Sequence, residues 1–244
     1  FRKERKMKRW GHMAKTFTKI GKEITIAVKQ GGPDVVGNSR LRALMAEARS
    51  ENMPKDNVEK AIKRALEKNQ GDFKEVVFEG YGPHGIAYLV ETATDNNTRT
   101  VANVRSYFTK CGGSLGTSGS VSFMFDHKCV FRIKYQEGMD IDELQLALCD
   151  CDDDPEVFIE EQEDKDENIT KNVVIYGAYE SYGAIQKYIE DNGYELVSGG
   201  FERIPNVDLK DVTPEQRETL DKLTGLLEDD DDVTNVYNTL KPAE

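Results

Sequence analysis

Charge is divided unevenly along this 244-residue chain, and that division constrains its partners more than any other sequence feature. Residues 1–70 carry 18 Lys and Arg against 8 Asp and Glu, whereas residues 129–244 carry 10 against 31. Nearby charges dominate the field at a surface, so the basic segment attracts phosphate although the whole chain has a net charge of −12. The sequence therefore predicts an N-terminal region that binds nucleic acid and a C-terminal region that avoids it.

Length and composition indicate several small domains in a cytosolic protein. Domains usually hold about 100–150 residues, so this chain is long enough for two or three. No apolar run approaches the roughly 18 residues of a membrane span, and the segment after the basic start is amphipathic, unlike a signal peptide. Because position 1 is Phe, we expect the natural start to lie upstream. Four cysteines without framework spacing are expected to be free thiols: Cys111, Cys129, Cys149 and Cys151.

The first predicted helix has one apolar face and one basic face. The apolar face follows a spacing of three and four residues through Phe17, Ile20, Ile24 and Val28. At 100° per residue, the opposite face is formed by Lys15, Lys19, Lys22 and Lys29. Residues 31–33, Gly-Gly-Pro, are predicted to end the helix. We expect the lysine face to contact phosphate.

Two shorter amphipathic helices follow and complete a small bundle. Asn38 or Ser39 is predicted to cap the second helix, and Asp56 with Glu59 resembles a capping box at the start of the third. Cations that lie outside the two apolar stripes are candidate contacts for nucleic acid: Arg40, Arg42, Lys55, Lys60, Lys63 and Arg64.

A dense basic arm precedes the bundle. Its six cations within nine residues repel one another unless an anion lies among them, and they are Arg2, Lys3, Arg5, Lys6, Lys8 and Arg9. Trp10, the only tryptophan, closes the arm. Its ring can stack on an unpaired base, or it can pack against the bundle as an anchor.

The rest of the chain is predicted to form two α/β domains. Predicted strands at 76–79, 86–92 and 121–125, with a helix capped by residues 95–98, form a β-β-α-β unit. Residues 129–204 follow the β-α-β-β-α-β order of a ferredoxin-like sandwich. A helix from 213 to 226 and a strand at 233–237 then complete the earlier unit. We predict an α+β protein with a basic helical domain (1–70), a discontinuous α/β domain (71–128 and 205–244) and an inserted acidic domain (129–204).

Five sequence blocks resemble the YebC/PmpR family. They span residues 10–20, 52–62, 79–83, 94–100 and 112–121, in the family's order. The resemblance implies an N-terminal helical domain and two α/β domains, the second of them inserted. It also implies regulation of gene expression. Family members are described as DNA-binding transcriptional regulators, and others as translational activators that act at the ribosome where proline stretches stall synthesis.

The sequence motifs give little support for a catalytic function. Residues 112–116 match a nucleophile elbow, but a helix precedes them and a strand follows, the reverse of what that elbow requires. The loop 112–119 is either a flexible connection or a surface of backbone amides for RNA phosphate, helped by Lys110 and Arg105. Arg99 is likewise either a phosphate contact or a structural residue at a helix start. We therefore predict a non-enzymatic protein with no small-molecule substrate.

Acidic clusters offer weak metal-site candidates. Residues 149–154 combine two cysteines with aspartates, yet the three histidines lie far apart and no second cysteine pair exists. We therefore expect no metal and no cofactor. The run 228–232 is either solvated surface or a repulsive element that orients the basic head on its target. The predicted partner is duplex DNA or ribosomal RNA, with the ribosome itself as a further possibility and no membrane.

Overall fold

The computed structural model describes residues 2–67, 71–163 and 169–243, with the side chains of residues 2–10, 12, 162 and 163 outside that description. Its helices are α1 (Arg2–Gly31), α2 (Ser39–Ser50), α3 (Lys55–Leu66), α4 (Asn97–Lys110), α5 (Ile141–Leu148), α6 (Tyr182–Asp191) and α7 (Pro214–Glu228). Its strands are β1 (Lys74–Tyr81), β2 (Ala87–Thr94), β3 (Ser114–Leu115), β4 (Phe125–Lys134), β5 (Glu156–Glu163), β6 (Ile169–Ala178), β7 (Leu196–Pro205) and β8 (Val233–Asn238). The structure is thus a mixed helix and sheet fold, as predicted.

Side-chain caps set most helix starts. The Asn38 side chain accepts a hydrogen bond from the Leu41 amide at 3.0 Å, which confirms the predicted cap of α2. Thr213 and Gln216 form a reciprocal capping box at α7. The predicted cap at Asp56 is wrong, because α3 already begins at Lys55 and Asp56 lies within its first turn. There the Pro54 carbonyl accepts the first amide bonds of the helix.

The first sheet has the strand order β3-β1-β2-β8 and is antiparallel throughout. One face packs against α4 and α7 through a core that contains Tyr88, Phe108, Leu220 and Leu223. The Tyr88 and Phe108 rings meet edge to face, with centroids 5.8 Å apart. Strand β8 comes from the end of the chain, so this sheet joins segments on both sides of β4–β7.

The strand predicted at 121–125 is wrong. Residues 122–124 form a single 3₁₀ turn, and the short β3 pairs with the edge of β1 that β2 leaves open. Val121 and Phe125 are nevertheless buried, since they pack with Ala87 and Leu89 on the sheet face opposite α4. The spacing of Val121 and Phe125 therefore reflected burial rather than one continuous strand, since only Phe125 belongs to a strand, as the first residue of β4.

The second sheet has the strand order β5-β6-β4-β7. Together with the element order β4-α5-β5-β6-α6-β7, this confirms the predicted ferredoxin-like arrangement. Its core joins the sheet to α5 and α6 through Phe131, Ile175, Leu148 and Ile185.

By backbone proximity the chain divides into two compact units. One contains Phe1–Lys22, Glu67–Asp126 and Arg203–Glu244, and the other contains Glu23–Leu66 and His127–Glu202. Helix α1 contributes residues to both. The division into three domains with the boundaries given above stays a prediction.

Candidate nucleic-acid interface

The basic face of α1 lies against acidic and carbonyl groups near β8. Lys15 forms an ion pair with Asp229, and Lys19 Nζ lies 2.7 Å from Asn235 Oδ1. Lys22 Nζ lies 3.0 Å from Asp232 Oδ1 and 2.6 Å from the Asp231 carbonyl oxygen. These three lysines therefore have intramolecular partners.

Asp232 is the centre of this network. Its Oδ2 accepts hydrogen bonds from Arg99 Nη2 at 2.7 Å and Thr100 Oγ1 at 2.9 Å, and its residue surface is only 4% exposed. Burial alone would raise the pKa of Asp232, but the hydrogen bonds from Arg99, Lys22 and Thr100 outweigh it and hold the pKa below its ordinary value. The structure thus gives Arg99 a structural partner at the start of α4.

Asp230 is anchored in the same region. Its carboxylate accepts from Asn103 Nδ2 at 3.0 Å and from the Tyr107 hydroxyl at 2.9 Å. Burial, reinforced by this carboxylate, raises the pKa of Tyr107 to about 12. Arg99, Asn103 and residues 230–232 line a cleft of about 370 Å³. Part of the acidic run is therefore built into the fold.

Arg42 is also held by internal contacts. Its guanidinium makes a bidentate pair with Glu190 of α6, at 2.9 and 3.1 Å, and donates to the Val35 and Val36 carbonyls. Beside it, Gln186 Nε2 donates to the Ser39 carbonyl at 2.9 Å. Arg42 therefore joins α2 to the second sheet's helical layer. Its neighbour Arg40 is half-buried and donates to Gln30.

Helix α3 carries exposed cations. Lys55, Lys60 and Lys63 are exposed, and among the described residues none of the three has an ion pair or hydrogen-bond partner. Ala61 on the other side of the helix is buried, and its carbonyl accepts from Thr25 Oγ1 at 3.2 Å. The amphipathic pattern of α3 therefore sends these lysines to solvent. Arg64, closer to the buried side, is half-buried.

Lys110 and the basic arm complete the predicted set. Arg49 and Lys110 are exposed, and Lys110 Nζ lies 6.0 Å from the Tyr107 ring centroid. The basic arm belongs to the first turns of α1, but its side chains lie outside the described residues: Arg2, Lys3, Arg5, Lys6, Lys8, Arg9 and Trp10.

Glu79 is a structural residue that sequence reasoning missed. Its buried carboxylate accepts from the Gly119, Val121 and Ser122 amides at 2.7, 2.8 and 2.8 Å. Burial alone would raise the pKa of Glu79, but these three backbone donors hold it below its ordinary value. The amides at 119, 121 and 122 are thus occupied by the chain's own carboxylate, which fixes the end of the glycine-rich loop.

Within the described ranges, no group of three His, Cys, Asp or Glu is arranged to hold a metal ion. No described helix has the length and apolar composition needed to cross a membrane. All four cysteines are free thiols, as expected, and Cys111 and Cys129 are buried.

Comparison with known proteins identifies the family. Residues 1–68 match the model of the TACO1/YebC protein N-terminal domain, and residues 73–240 match that of the TACO1/YebC second and third domain. A Parabacteroides distasonis protein is 60% identical over 99% of this chain and 95% of its own length. A Bacteroides thetaiotaomicron protein is 57% identical over 100% of this chain and 96% of its own. Both are named probable transcriptional regulatory proteins.

A solved structure supports the same relationship. The crystal structure of a conserved hypothetical protein from Aquifex aeolicus superposes with a TM-score of 0.75 at 32% identity, covering 95% of this chain and 91% of the other. The resemblance seen in the five sequence blocks is therefore confirmed, and the chain belongs to the TACO1/YebC family.

Proposed function

We propose that this protein is a nucleic-acid-binding regulator of gene expression that grips the phosphate backbone through α3. One observation carries the proposal: Lys55, Lys60 and Lys63 are exposed and unpartnered within the described chain, while other predicted cations have internal partners. An unpaired lysine costs little to bring against phosphate, because no protein ion pair has to break first. Arg49, exposed near the end of α2, adds a further cation.

The spacing of the three lysines suits a polyanion. Lys55 and Lys63 are eight residues apart, about 12 Å along a helix axis, a length over which duplex DNA carries several phosphates. Lysine is a point charge, so such contacts position a protein on the backbone without reading bases. Binding through α3 alone would therefore depend strongly on salt and weakly on sequence.

The connection between α2 and α3 favours duplex DNA as the target. Only residues 51–54 join the two helices, and Asn52 adopts a left-handed conformation with φ 57°. Met53 is buried and anchors this turn. A turn of three or four residues between two helices is typical of helix-turn-helix proteins, in which the second helix enters the major groove. With the names of the relatives, this supports a DNA-binding transcriptional regulator.

A ribosome-associated translation factor is the second candidate. The observation that favours it is the net negative charge of residues 129–244, 10 Lys and Arg against 31 Asp and Glu. Such a charge limits adhesion to the RNA surroundings of a ribosome, so only the basic surface would bind. In this reading the protein activates translation, for instance where proline stretches stall synthesis. Both candidates place the protein in the cytoplasm in a regulatory and non-catalytic role.

One experiment separates the candidates. Lysate from cells that express the tagged full chain is sedimented through sucrose gradients, and the purified chain is tested for retardation of duplex DNA. The variant Lys55→Gln/Lys60→Gln/Lys63→Gln is compared with Lys74→Gln/Lys187→Gln/Lys222→Gln, which removes the same charge from exposed lysines elsewhere.

A transcriptional regulator should stay at the top of the gradient and retard DNA, and a translation factor should travel with ribosomes. In either case the α3 variant should lose the interaction and the control should keep it. Equal behaviour of the two variants would refute the α3 interface. A wild-type chain that binds neither partner would refute the function itself.

A further inference from the structure

The acidic turn, residues 229–232 directly after α7, alternates anchored and displayed carboxylates. Asp230 accepts hydrogen bonds from Asn103 and Tyr107. Asp232 accepts one from Arg99. Asp229 and Asp231 are exposed instead. The anchored residues thus fix the position of the turn, and the displayed residues add negative charge that the fold does not use for packing.

The anchored carboxylates hold this turn beside the basic face of α1. Lys22 contacts Asp232 and the Asp231 carbonyl, and its side chain is only 11% exposed. One turn and two turns earlier in the helix lie Lys19, which reaches Asn235, and Lys15, which reaches Asp229. The side chains of Lys15 and Asp229 are 45% and 71% exposed. The exposure of these lysine contacts therefore increases along α1, from a buried ion pair at Lys22 to a solvent-accessible ion pair at Lys15.

This gradient determines which contacts can exchange. A buried ion pair that also satisfies neighbouring donors is costly to break, whereas an exposed pair is weak and is screened by salt. Lys22 is therefore a fixed part of the fold. Lys15 keeps its charge close to solvent, beside a carboxylate that a stronger anion can replace, whereas the partner of Lys19 is the neutral amide of Asn235.

We propose that Asp229, with the neighbouring charge of Asp231, occupies the place of nucleic-acid phosphate on α1, so that a phosphate backbone must displace the Asp229 carboxylate before it engages Lys15. The inference rests on the proposed nucleic-acid function, and in it the acidic turn competes with the nucleic acid for lysine. Weak, non-specific anions do not displace this carboxylate, while a polyanion that presents several phosphates at high local concentration does. The acidic turn thus raises the threshold for binding.

The test uses the full chain with two matched double variants. Asp229→Asn/Asp231→Asn removes the displayed charges, and Glu218→Gln/Asp221→Asn removes the same charge from exposed positions of α7. Among the described residues, neither Glu218 nor Asp221 pairs with α1. Binding of a fluorescein-labelled DNA duplex and of an RNA hairpin is followed by anisotropy at low and high salt.

At low salt the acidic-turn variant should bind about two- to five-fold more tightly than the control variant, since exposed ion pairs contribute in that range. This gain in affinity should shrink at high salt, because salt screens the charges of both the carboxylates and the phosphates. Melting temperatures should match wild type, since both substituted side chains are exposed. The ligand that gains more, DNA or RNA, identifies the source of the phosphate. Equal affinities for the two variants would overturn the proposal while leaving the α3 interface intact.

Chemical footprinting gives a readout that is independent of affinity. Lys15 should react faster with an acetylating reagent in the acidic-turn variant than in wild type. Saturating nucleic acid should protect Lys15 in both. A Lys15 that stays reactive in the complex would overturn the competitor role, and a wild-type chain that binds neither ligand would overturn the proposed function as well.

Discussion

Lys22 and Asp232 lie 210 positions apart in the sequence, and their side chains meet with Nζ 3.0 Å from Oδ1 in a largely buried site. The pair ties the helical N-terminal segment to the end of the chain. It also shows that a lysine on a basic helical face can serve the fold. Charge patterning identifies such a face but not its partner.

Substitution of Lys22 should therefore destabilise the protein. Lys22→Gln leaves the buried Asp232 with Arg99 and Thr100 but without its ammonium, and we expect the free energy of unfolding to fall by about 1–3 kcal/mol. Urea denaturation measures this loss. Lys15→Gln, on the same face but in an exposed pair, should change stability by less than about 1 kcal/mol. Equal losses at the two positions would contradict the buried network.

Glu79 should be the main determinant of the glycine-rich loop. Glu79→Gln replaces one accepting oxygen by an amide NH₂ group that faces backbone N–H donors. We therefore expect the free energy of unfolding to fall by about 1–3 kcal/mol. Thermal melts at neutral pH test this. Glu137→Gln, at an exposed turn, is the control and should have little effect.

The same residue predicts a pH dependence. Because the folded-state pKa of Glu79 is depressed, its contribution is present above the unfolded pKa, about 4.3, and is lost as pH falls through the lower folded value. The folded-state pKa of Asp232 is also depressed, so its contribution to stability is lost in acid in the same way. The stability difference between wild type and Glu79→Gln should therefore narrow in acid. A difference that is constant from neutral pH to about pH 2 would contradict the assignment.

Arg42 should act on stability more than on binding. Arg42→Gln removes the bidentate contact with Glu190 and two hydrogen bonds to loop carbonyls. A double-mutant cycle with Glu190→Gln should give a coupling of about 1 kcal/mol. The salt dependence of nucleic-acid binding should not change. A phosphate contact by Arg42 would instead lower the slope of log K against log salt by about 1 unit.

Trp10 offers a separate test of the target. If its ring stacks on an unpaired base, Trp10→Ala should cost about 1–3 kcal/mol on RNA with single-stranded segments and little on duplex DNA. If it anchors the basic arm, both affinities and the melting temperature should fall together. Binding to both ligands at one salt concentration, with a melting curve, decides between these outcomes.

Local signals in the sequence predicted much of the fold. Asn38 and Thr213 cap helices through residues within three positions, so their chemistry is visible in a short window. The alternation of strands and helices also led to the ferredoxin-like order. The strand at 121–125 was wrong because Val121 is buried by packing ahead of a 3₁₀ turn and Phe125 already opens β4, and apolar spacing does not distinguish such packing from strand pairing.

The candidate site was predicted less completely because its partners are distant in sequence. Lys15 and Asp229 are separated by 214 positions, so no local pattern links them. Glu79 had one readable signal: an acid that directly follows the apolar run 76–78, in a chain with a long Gly- and Ser-rich loop whose amides need acceptors. The lysines of α3 were predicted to face outward, and the structure exposes them because the opposite side of the helix carries the buried Ala61.

The salt dependence of binding tests the α3 interface most directly. The slope of log K against log salt on duplex DNA is measured for wild type, for Lys55→Gln/Lys60→Gln/Lys63→Gln and for Lys74→Gln/Lys187→Gln/Lys222→Gln. Each lost phosphate contact flattens the slope by about 0.9, so the α3 variant should differ from wild type by about two to three units and the control by almost none. An α3 variant with the wild-type slope would contradict the account.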